Sequence, residues 1–163
     1  MNKEQMEYHL FRWFNSTTRL NGFLEFASEL TPSLYWYGLA LAYTCSDNLC
    51  TLREESKRCF SSDLPNRECL MNEDELLVFR SLPEMVTIYR GMTEEEKESG
   101  DYSISWTLKK EVAKFFATKY NRNYSERGKK KTIVKLRVPK TNLVAYFNDR
   151  KEEEVIYLHP IKK

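Results

Sequence analysis

Three short segments carry polar side chains where the packing of a core would not require them. They are residues 89–91 (Tyr-Arg-Gly), residues 105–107 (Ser-Trp-Thr) and residues 152–154 (three consecutive glutamates). Each segment begins or ends a stretch whose β-branched and aromatic residues are typical of a strand. We therefore take these segments as the candidate functional residues of the chain.

The acidic segment offers a pair of carboxylates. If the last strand begins near Lys151, its period of two places Glu152 and Glu154 on one face, about 7 Å apart at a rise of roughly 3.3 Å per residue. Like charges this close raise the pKa of at least one carboxyl, and such a pair suits a site where positive charge develops. The alternative is a solvated, charged turn over residues 149–154, which the fragment taken alone favours.

The other two segments offer a cation and two hydroxyls. Arg90 is predicted at a strand end, where Gly91 permits close approach of a ligand to the backbone. A guanidinium suits bidentate contacts with phosphate or diphosphate oxygens. Ser105 and Thr107 flank Trp106, so both hydroxyls could donate to a carboxylate on one face while the indole packs on the other. Taken singly, a common Arg-Gly turn and an ordinary edge strand remain alternatives.

The elements around these segments predict an α+β fold in one domain, residues 1–163. Apolar residues at helical spacing, a Thr31-Pro32 start and an Asn72 cap predict a helical lobe over residues 1–83. Residues 84–163 are predicted to be rich in strands. The predicted strands are residues 86–89, 102–106, 132–138, 143–147 and 153–158, with one amphipathic helix over residues 108–120. A charged loop is predicted between the first two strands.

Composition and charge exclude several classes of protein. The 163 residues contain 26 Lys and Arg against 24 Asp and Glu, so the net charge of +2 leaves no large cationic surplus for coating nucleic acid. The longest apolar run, residues 34–43, is too short to span a bilayer, and no leader of signal-peptide type precedes it, which predicts a cytoplasmic protein. The four cysteines and the two histidines, His9 and His159, lack the spacing of a metal or catalytic site.

A basic stretch over residues 121–131 includes three consecutive lysines, Lys129 to Lys131. Short runs of charge are usually solvated, so this stretch is predicted to be a mobile surface loop. Contact with an acidic acceptor or with nucleic acid is the less favoured alternative.

The order of the motifs resembles that of the mono-ADP-ribosyltransferases of the R-S-E type. Arg90 at a strand end is followed by a Ser-x-Thr strand and an Ala- and Phe-rich helix, and then by Glu152-x-Glu154 before an aliphatic strand. The region around Ser105 also looks like small bacterial and bacteriophage members of that family. The likeness covers residues 72–163. It implies two small β-sheets that meet at an angle around a cleft holding NAD.

The resemblance also implies how NAD is held. Arg90 would contact the diphosphate and the nicotinamide-side ribose, and the Gly91 backbone would hold the nicotinamide amide. The residues expected to line the cofactor site are Tyr89, Arg90, Gly91, Ser105, Trp106 and Thr107. Trp106 departs from the family pattern, because it replaces a small central residue of the serine motif.

For the catalytic residues, the resemblance implies that Ser105 orients Glu154, which hydrogen-bonds the 2′-hydroxyl of the nicotinamide ribose. Glu152 would position or deprotonate the acceptor, and two glutamates in this motif favour an arginine acceptor. A fixed carboxylate beside the ribose suits the chemistry, because breaking the glycosidic bond produces an oxocarbenium-like carbon.

The expected function is therefore NAD-dependent transfer of ADP-ribose to a macromolecule, with a host protein as the favoured acceptor of a phage or bacterial effector. NAD would serve as co-substrate without a metal. Two alternatives stay open: an NAD glycohydrolase, and a non-catalytic binding or inhibitor module whose helical first half forms the partner surface.

Overall fold

The computed structural model of the chain describes residues 1–47, 49–119 and 128–160. The chain divides into two compact units, Met1–Leu76 and Leu77–Lys163, and the division falls within one helix. Among the described residues, no helix combines the length and the apolar character that crossing a membrane requires.

The first unit is helical, as the sequence predicts. Its helices are α1 (Lys3–Trp13), α2 (Arg19–Phe26), α3 (Pro32–Thr44), α4 (Arg53–Phe60) and the beginning of α5 (Glu73–Ser81). Short 3-10 turns lie at Ala27–Glu29 and Arg67–Leu70. The predicted start of α3 at Pro32 and the predicted Asn72 cap of α5 are confirmed. The Asn72 side chain accepts from the Glu75 amide at 2.9 Å, and the Glu75 carboxylate accepts from the Asn72 amide at 3.1 Å.

The core of the first unit lies along α3, whose Trp36 and Leu39 are fully buried. Arg19 lies inside this unit, where only 8% of the residue is exposed, and it connects the ends of neighbouring helices. Its guanidinium donates to the carbonyl oxygens of Leu10 (3.3 Å), Phe14 (3.1 Å) and Cys45. These carbonyls lie at or just past the carboxyl ends of α1 and α3, where a cation is favoured by the helix dipole.

The second unit contains a five-stranded sheet. Its strands are β1 (Met85–Thr93), β2 (Ser105–Thr107), β3 (Lys131–Pro139), β4 (Leu143–Phe147) and β5 (Glu154–Tyr157), and they lie in the order β3-β1-β2-β5-β4. All four neighbouring pairs are antiparallel. The unit also contains helices α6 (Glu94–Ser99) and α7 (Lys110–Thr118) and a 3-10 turn at Lys140–Asn142. The predicted α+β class is confirmed, and β4 has the predicted bounds.

Two local predictions about β1 and the segment after it are wrong. Arg90 and Gly91 do not end the strand, because pairing with β3 continues as far as Thr93, which faces Lys131. The residues after Thr93 form α6 where a charged loop was expected. The Thr93 hydroxyl caps this helix by accepting from the Glu96 amide at 3.2 Å.

The predicted basic loop falls partly outside the structure. Residues 120–127 lie outside the described residues. Helix α7 ends at Thr118, before the predicted end at residue 120. Of the lysine run, Lys129 pairs with Glu95 at 3.0 Å, and Lys131 begins β3.

The sheet consists of two groups of strands that are joined by a single residue pair. β1 and β3 pair along their whole lengths, and β2, β5 and β4 form the second group. The junction between β1 and β2 rests on the pair of Tyr89 with Thr107. The structure thus shows one five-stranded sheet, and the arrangement of two sheets around a cleft stays a prediction.

Gly91 is required by the packing of α7 on β1. A Cβ atom at this position would lie 2.5 Å from the Ala113 carbonyl oxygen and 2.8 Å from the Ala117 amide nitrogen. Both are backbone atoms of α7 and cannot move aside independently. The close approach that this glycine permits is therefore to the helix, and an approach to NAD stays a prediction.

Candidate functional site

The strand register brings several of the predicted residues to one face of the sheet. Tyr89 faces Thr107, and Thr107 faces Glu154 on the next strand. Directly paired residues in antiparallel strands share a face, and residues two apart on one strand do so as well. Ser105 therefore joins this row, and Lys135, the partner of Tyr89 on β3, extends it. We call Tyr89, Ser105, Thr107 and Glu154 the site row.

The centre of the site row is a hydrogen bond between Ser105 and Glu154. The Ser105 hydroxyl donates to Oε1 of Glu154 at 2.7 Å, and both residues are half-buried. A bond from a hydroxyl to a carboxylate is a strong one, and it fixes the direction of the carboxylate. The contact that the resemblance implies is thus present in the structure, whereas the catalytic roles of the two residues stay predictions.

Thr107 holds the backbone that leads into Glu154. Its hydroxyl donates to the Glu152 carbonyl oxygen at 2.6 Å and accepts from the Lys109 amide at 3.0 Å. The Leu108 amide adds a bond to the Glu153 carbonyl oxygen at 3.1 Å. The expectation that both hydroxyls donate to a carboxylate is therefore wrong for Thr107, which is buried and donates to a main-chain carbonyl oxygen.

The acidic segment does not have the predicted strand geometry. β5 begins at Glu154, and Lys151 and Glu153 have positive φ angles of 60° and 43°. The segment turns because the Asn148 side chain accepts from the Glu153 amide at 3.2 Å. The alternation that would place Glu152 and Glu154 on one face therefore does not apply, and Glu153 pairs with Lys109 at 3.4 Å.

Burial raises the pKa of the Glu152 carboxyl above its ordinary value, and the nearby Arg150 opposes this shift. The carboxyl is half-buried in the turn before β5. A carboxyl with a raised pKa accepts a proton more readily than an exposed one, which suits a general base. The environment of Glu152 therefore favours the protonated form of its carboxyl more than solvent would, and its role with Glu154 stays a prediction.

The raised pKa of Glu152 predicts how pH affects stability. The folded state holds this proton more tightly than the unfolded state, so the stabilisation present below pH 4.5 is lost as pH rises through the folded pKa. We expect Glu152→Gln, which does not titrate, to gain stability relative to the unsubstituted protein over that range. Urea unfolding of both proteins between pH 4 and pH 7 measures the difference, and a difference that does not change with pH would contradict the assignment.

Arg90 is engaged by protein groups in this structure. Its Nε and Nη2 donate to the two carboxylate oxygens of Glu96 at 2.9 and 3.2 Å, and its Nη1 donates to the Ser105 carbonyl oxygen at 2.9 Å. These bonds use three of the five N–H groups of the guanidinium. Since Tyr89 shares a face with Thr107, alternation places the Arg90 side chain on the opposite face. Its contact with a diphosphate stays a prediction.

Trp106 stabilises β2 from the face opposite the site row. Its indole is 2% exposed, donates to the Ser103 carbonyl oxygen at 2.9 Å and meets Tyr102 and Tyr157 edge to face. The expected packing of the indole away from Ser105 is thus observed. This residue can influence a ligand on the site row through the position of β2.

Sequence reasoning missed Glu96. Its carboxylate accepts from Arg90 and also from the Ser103 amide at 2.8 Å, and 10% of the side chain is exposed. Thr93 and Glu96 have the spacing of a capping box, and that signal could have identified both the helix and the residue.

Within residues 1–47, 49–119 and 128–160, no group of three or more His, Cys, Asp or Glu side chains is placed to hold a metal ion. No protein-family model, curated protein or solved structure matches the chain.

Proposed function

We propose that this protein is an NAD-dependent mono-ADP-ribosyltransferase. It would cleave the bond between nicotinamide and ribose and transfer ADP-ribose to a macromolecular acceptor. The observation that carries the proposal is the hydrogen bond of 2.7 Å from Ser105 to Glu154 at the start of β5. The order of the Arg90, Ser105 and Glu154 motifs along the chain also supports the proposal.

The geometry suits the electronic demand of the reaction. As the C1′–N bond breaks, its electron pair goes to the nicotinamide nitrogen, and positive charge develops on the ribose ring. A carboxylate beside that ring stabilises charge that exists only in the transition state. Because Ser105 already holds the Glu154 carboxylate in one direction, little reorganisation is needed when the reaction begins.

The second half of the reaction requires a base. An arginine acceptor has a pKa above about 12 and is a poor nucleophile until it loses a proton. In our proposal its nitrogen lone pair forms the new bond to C1′, and the Glu152 carboxylate takes the proton. The raised pKa of Glu152 supports this role. We also propose that the acceptor is a protein in a host cytoplasm and that this protein acts as an effector. Both points rest on the resemblance to the mono-ADP-ribosyltransferases.

The transferase activity is tested with NAD labelled on the adenine side and incubated with the protein and a cell lysate. We expect release of nicotinamide and covalent labelling of a protein, whose modified residue mass spectrometry would identify. If the label is found only in free ADP-ribose, the protein is an NAD glycohydrolase and not a transferase. A protein that releases no nicotinamide at all would contradict the proposal.

A non-catalytic binding module is the second candidate, and one observation favours it. Helix α1 exposes large aromatic side chains, with Tyr8 65%, Phe11 48% and Trp13 67% exposed. Exposed aromatic residues are enriched where proteins bind one another. This candidate predicts no nicotinamide release, so the same assay separates it from the enzyme.

A further inference from the structure

We propose that Glu96 is a positioning residue for the Ser105–Glu154 pair. The inference rests on the proposed function, because it concerns the geometry of that site. The Glu96 carboxylate accepts two hydrogen bonds from Arg90, at 2.9 and 3.2 Å, and one from the Ser103 amide, at 2.8 Å. It lies on α6, away from the site row, and acts through other residues.

Hydrogen bonds with Glu96 and Arg90 hold two main-chain groups at the start of β2, the Ser103 amide and the Ser105 carbonyl oxygen. Glu96 holds the Ser103 amide, and its partner Arg90 holds the Ser105 carbonyl oxygen at 2.9 Å. The single residue between these two anchors is Ile104, which is buried. The backbone of Ser105 is therefore held by a carboxylate and a guanidinium that are themselves joined by a fork of two hydrogen bonds.

The support matters because β2 has few other restraints towards β1. β2 contains three residues, and its junction with β1 rests on the pair of Tyr89 with Thr107. A strand this short gains little from main-chain pairing alone. The bond from Arg90 Nη1 to the Ser105 carbonyl oxygen supplies a second link between β1 and β2, and this link is made at the residue whose hydroxyl orients Glu154.

The ion pair also explains why a carboxylate is needed at position 96. The side chains of Arg90 and Glu96 are 20% and 10% exposed, so each charge is largely removed from water. Removing one charge from such a pair leaves the other buried and uncompensated, and the structure around it must shift. The shift would reach Ser105 through the Nη1 bond and change the direction of the Glu154 carboxylate.

The test compares Glu96→Gln with Glu98→Gln, which removes the same charge from an exposed position on the same helix. We expect Glu96→Gln to lower kcat for nicotinamide release by about 10- to 100-fold, since a misplacement of roughly 1 Å has effects of that size. The KM for NAD should change by no more than about threefold, and Glu98→Gln should leave kcat unchanged within about twofold.

A double variant separates positioning from a merely structural role. If Glu96 acts through Ser105, then adding Glu96→Gln to Ser105→Ala should lower kcat by no more than about twofold beyond Ser105→Ala alone. Independent effects that multiply in the double variant would overturn the inference. If Glu96→Gln fails to fold, Glu96→Asp takes its place in the comparison with Ser105→Ala. The aspartate keeps the charge and shortens the side chain.

The outcomes also distinguish the two proposals. An unsubstituted protein that releases no nicotinamide from NAD overturns the proposed function, and with it the role of Glu96. An active protein whose Glu96→Gln variant keeps its full kcat overturns the role of Glu96 alone.

Discussion

Replacing Glu154 by glutamine should lower the rate of nicotinamide release from NAD by about 10²- to 10³-fold, which is the effect of losing one preorganised electrostatic group in a transition state. Glutamine has the same shape and can still accept the hydrogen bond from Ser105. It lacks the negative charge that stabilises the developing oxocarbenium ion. We therefore expect kcat to fall while the dissociation constant for NAD changes little, as measured by nicotinamide release and by calorimetric titration.

Glu153 provides the matched control for this substitution. It is the preceding residue, and its carboxylate pairs with Lys109 at 3.4 Å on a partly exposed surface. Surface ion pairs of this kind contribute little to stability, so Glu153→Gln should retain activity within about twofold. Equal losses in Glu153→Gln and Glu154→Gln would show that the charge of the segment matters and the position of Glu154 does not.

The second large effect is expected at Gly91. Gly91→Ala should lower the free energy of unfolding by about 2 kcal/mol, the usual scale for forcing an extra carbon into a packed site. The added Cβ would lie 2.5 Å from the Ala113 carbonyl oxygen, so α7 would have to move off β1. Urea unfolding of the purified variant measures the change.

A compensating substitution tests whether backbone is responsible. The Cβ of Ala117 lies 3.0 Å from the point that the new carbon would occupy, but the shorter distances are to main-chain atoms. Ala117→Gly removes only that Cβ and should therefore fail to restore the stability of Gly91→Ala. Full restoration would show that the conflict is with a side chain and that α7 lies further from β1 than the structure indicates.

Local signals were sufficient for much of the fold. The Thr31-Pro32 pair predicts where α3 begins, because proline fits the first helical turn. The Asn72 cap predicts α5, and the apolar run over Leu143–Phe147 predicts β4 with its observed bounds. For the two helices, the determining interaction lies within a few residues of the sequence that signals it.

Non-local pairing explains what could not be predicted. The end of β1 depends on its pairing with β3, so nothing near Arg90 or Gly91 shows that the strand continues to Thr93. Likewise, the positive φ of Glu153 accompanies contacts with Asn148 and Leu108, and it breaks the alternation assumed for the acidic segment. Ser105 and Glu154 still meet despite these errors, because β2 pairs with β5. The spacing of Thr93 and Glu96 signals the start of α6, whereas the bonds of Glu96 to Arg90 and to the Ser103 amide form only when the chain folds.

Cleavage of NAD at the Ser105–Glu154 pair is tested most directly by a crystal structure of the Glu154→Gln variant soaked with NAD, since this variant should bind the dinucleotide and cleave it slowly. We expect the 2′-hydroxyl of the nicotinamide ribose to lie within about 3.2 Å of the side chain at position 154, a hydrogen-bonding distance. We also expect the Ser105 hydroxyl to contact that side chain still. A dinucleotide bound away from β2 and β5, or none bound at saturating NAD, would contradict the claim that this site cleaves NAD.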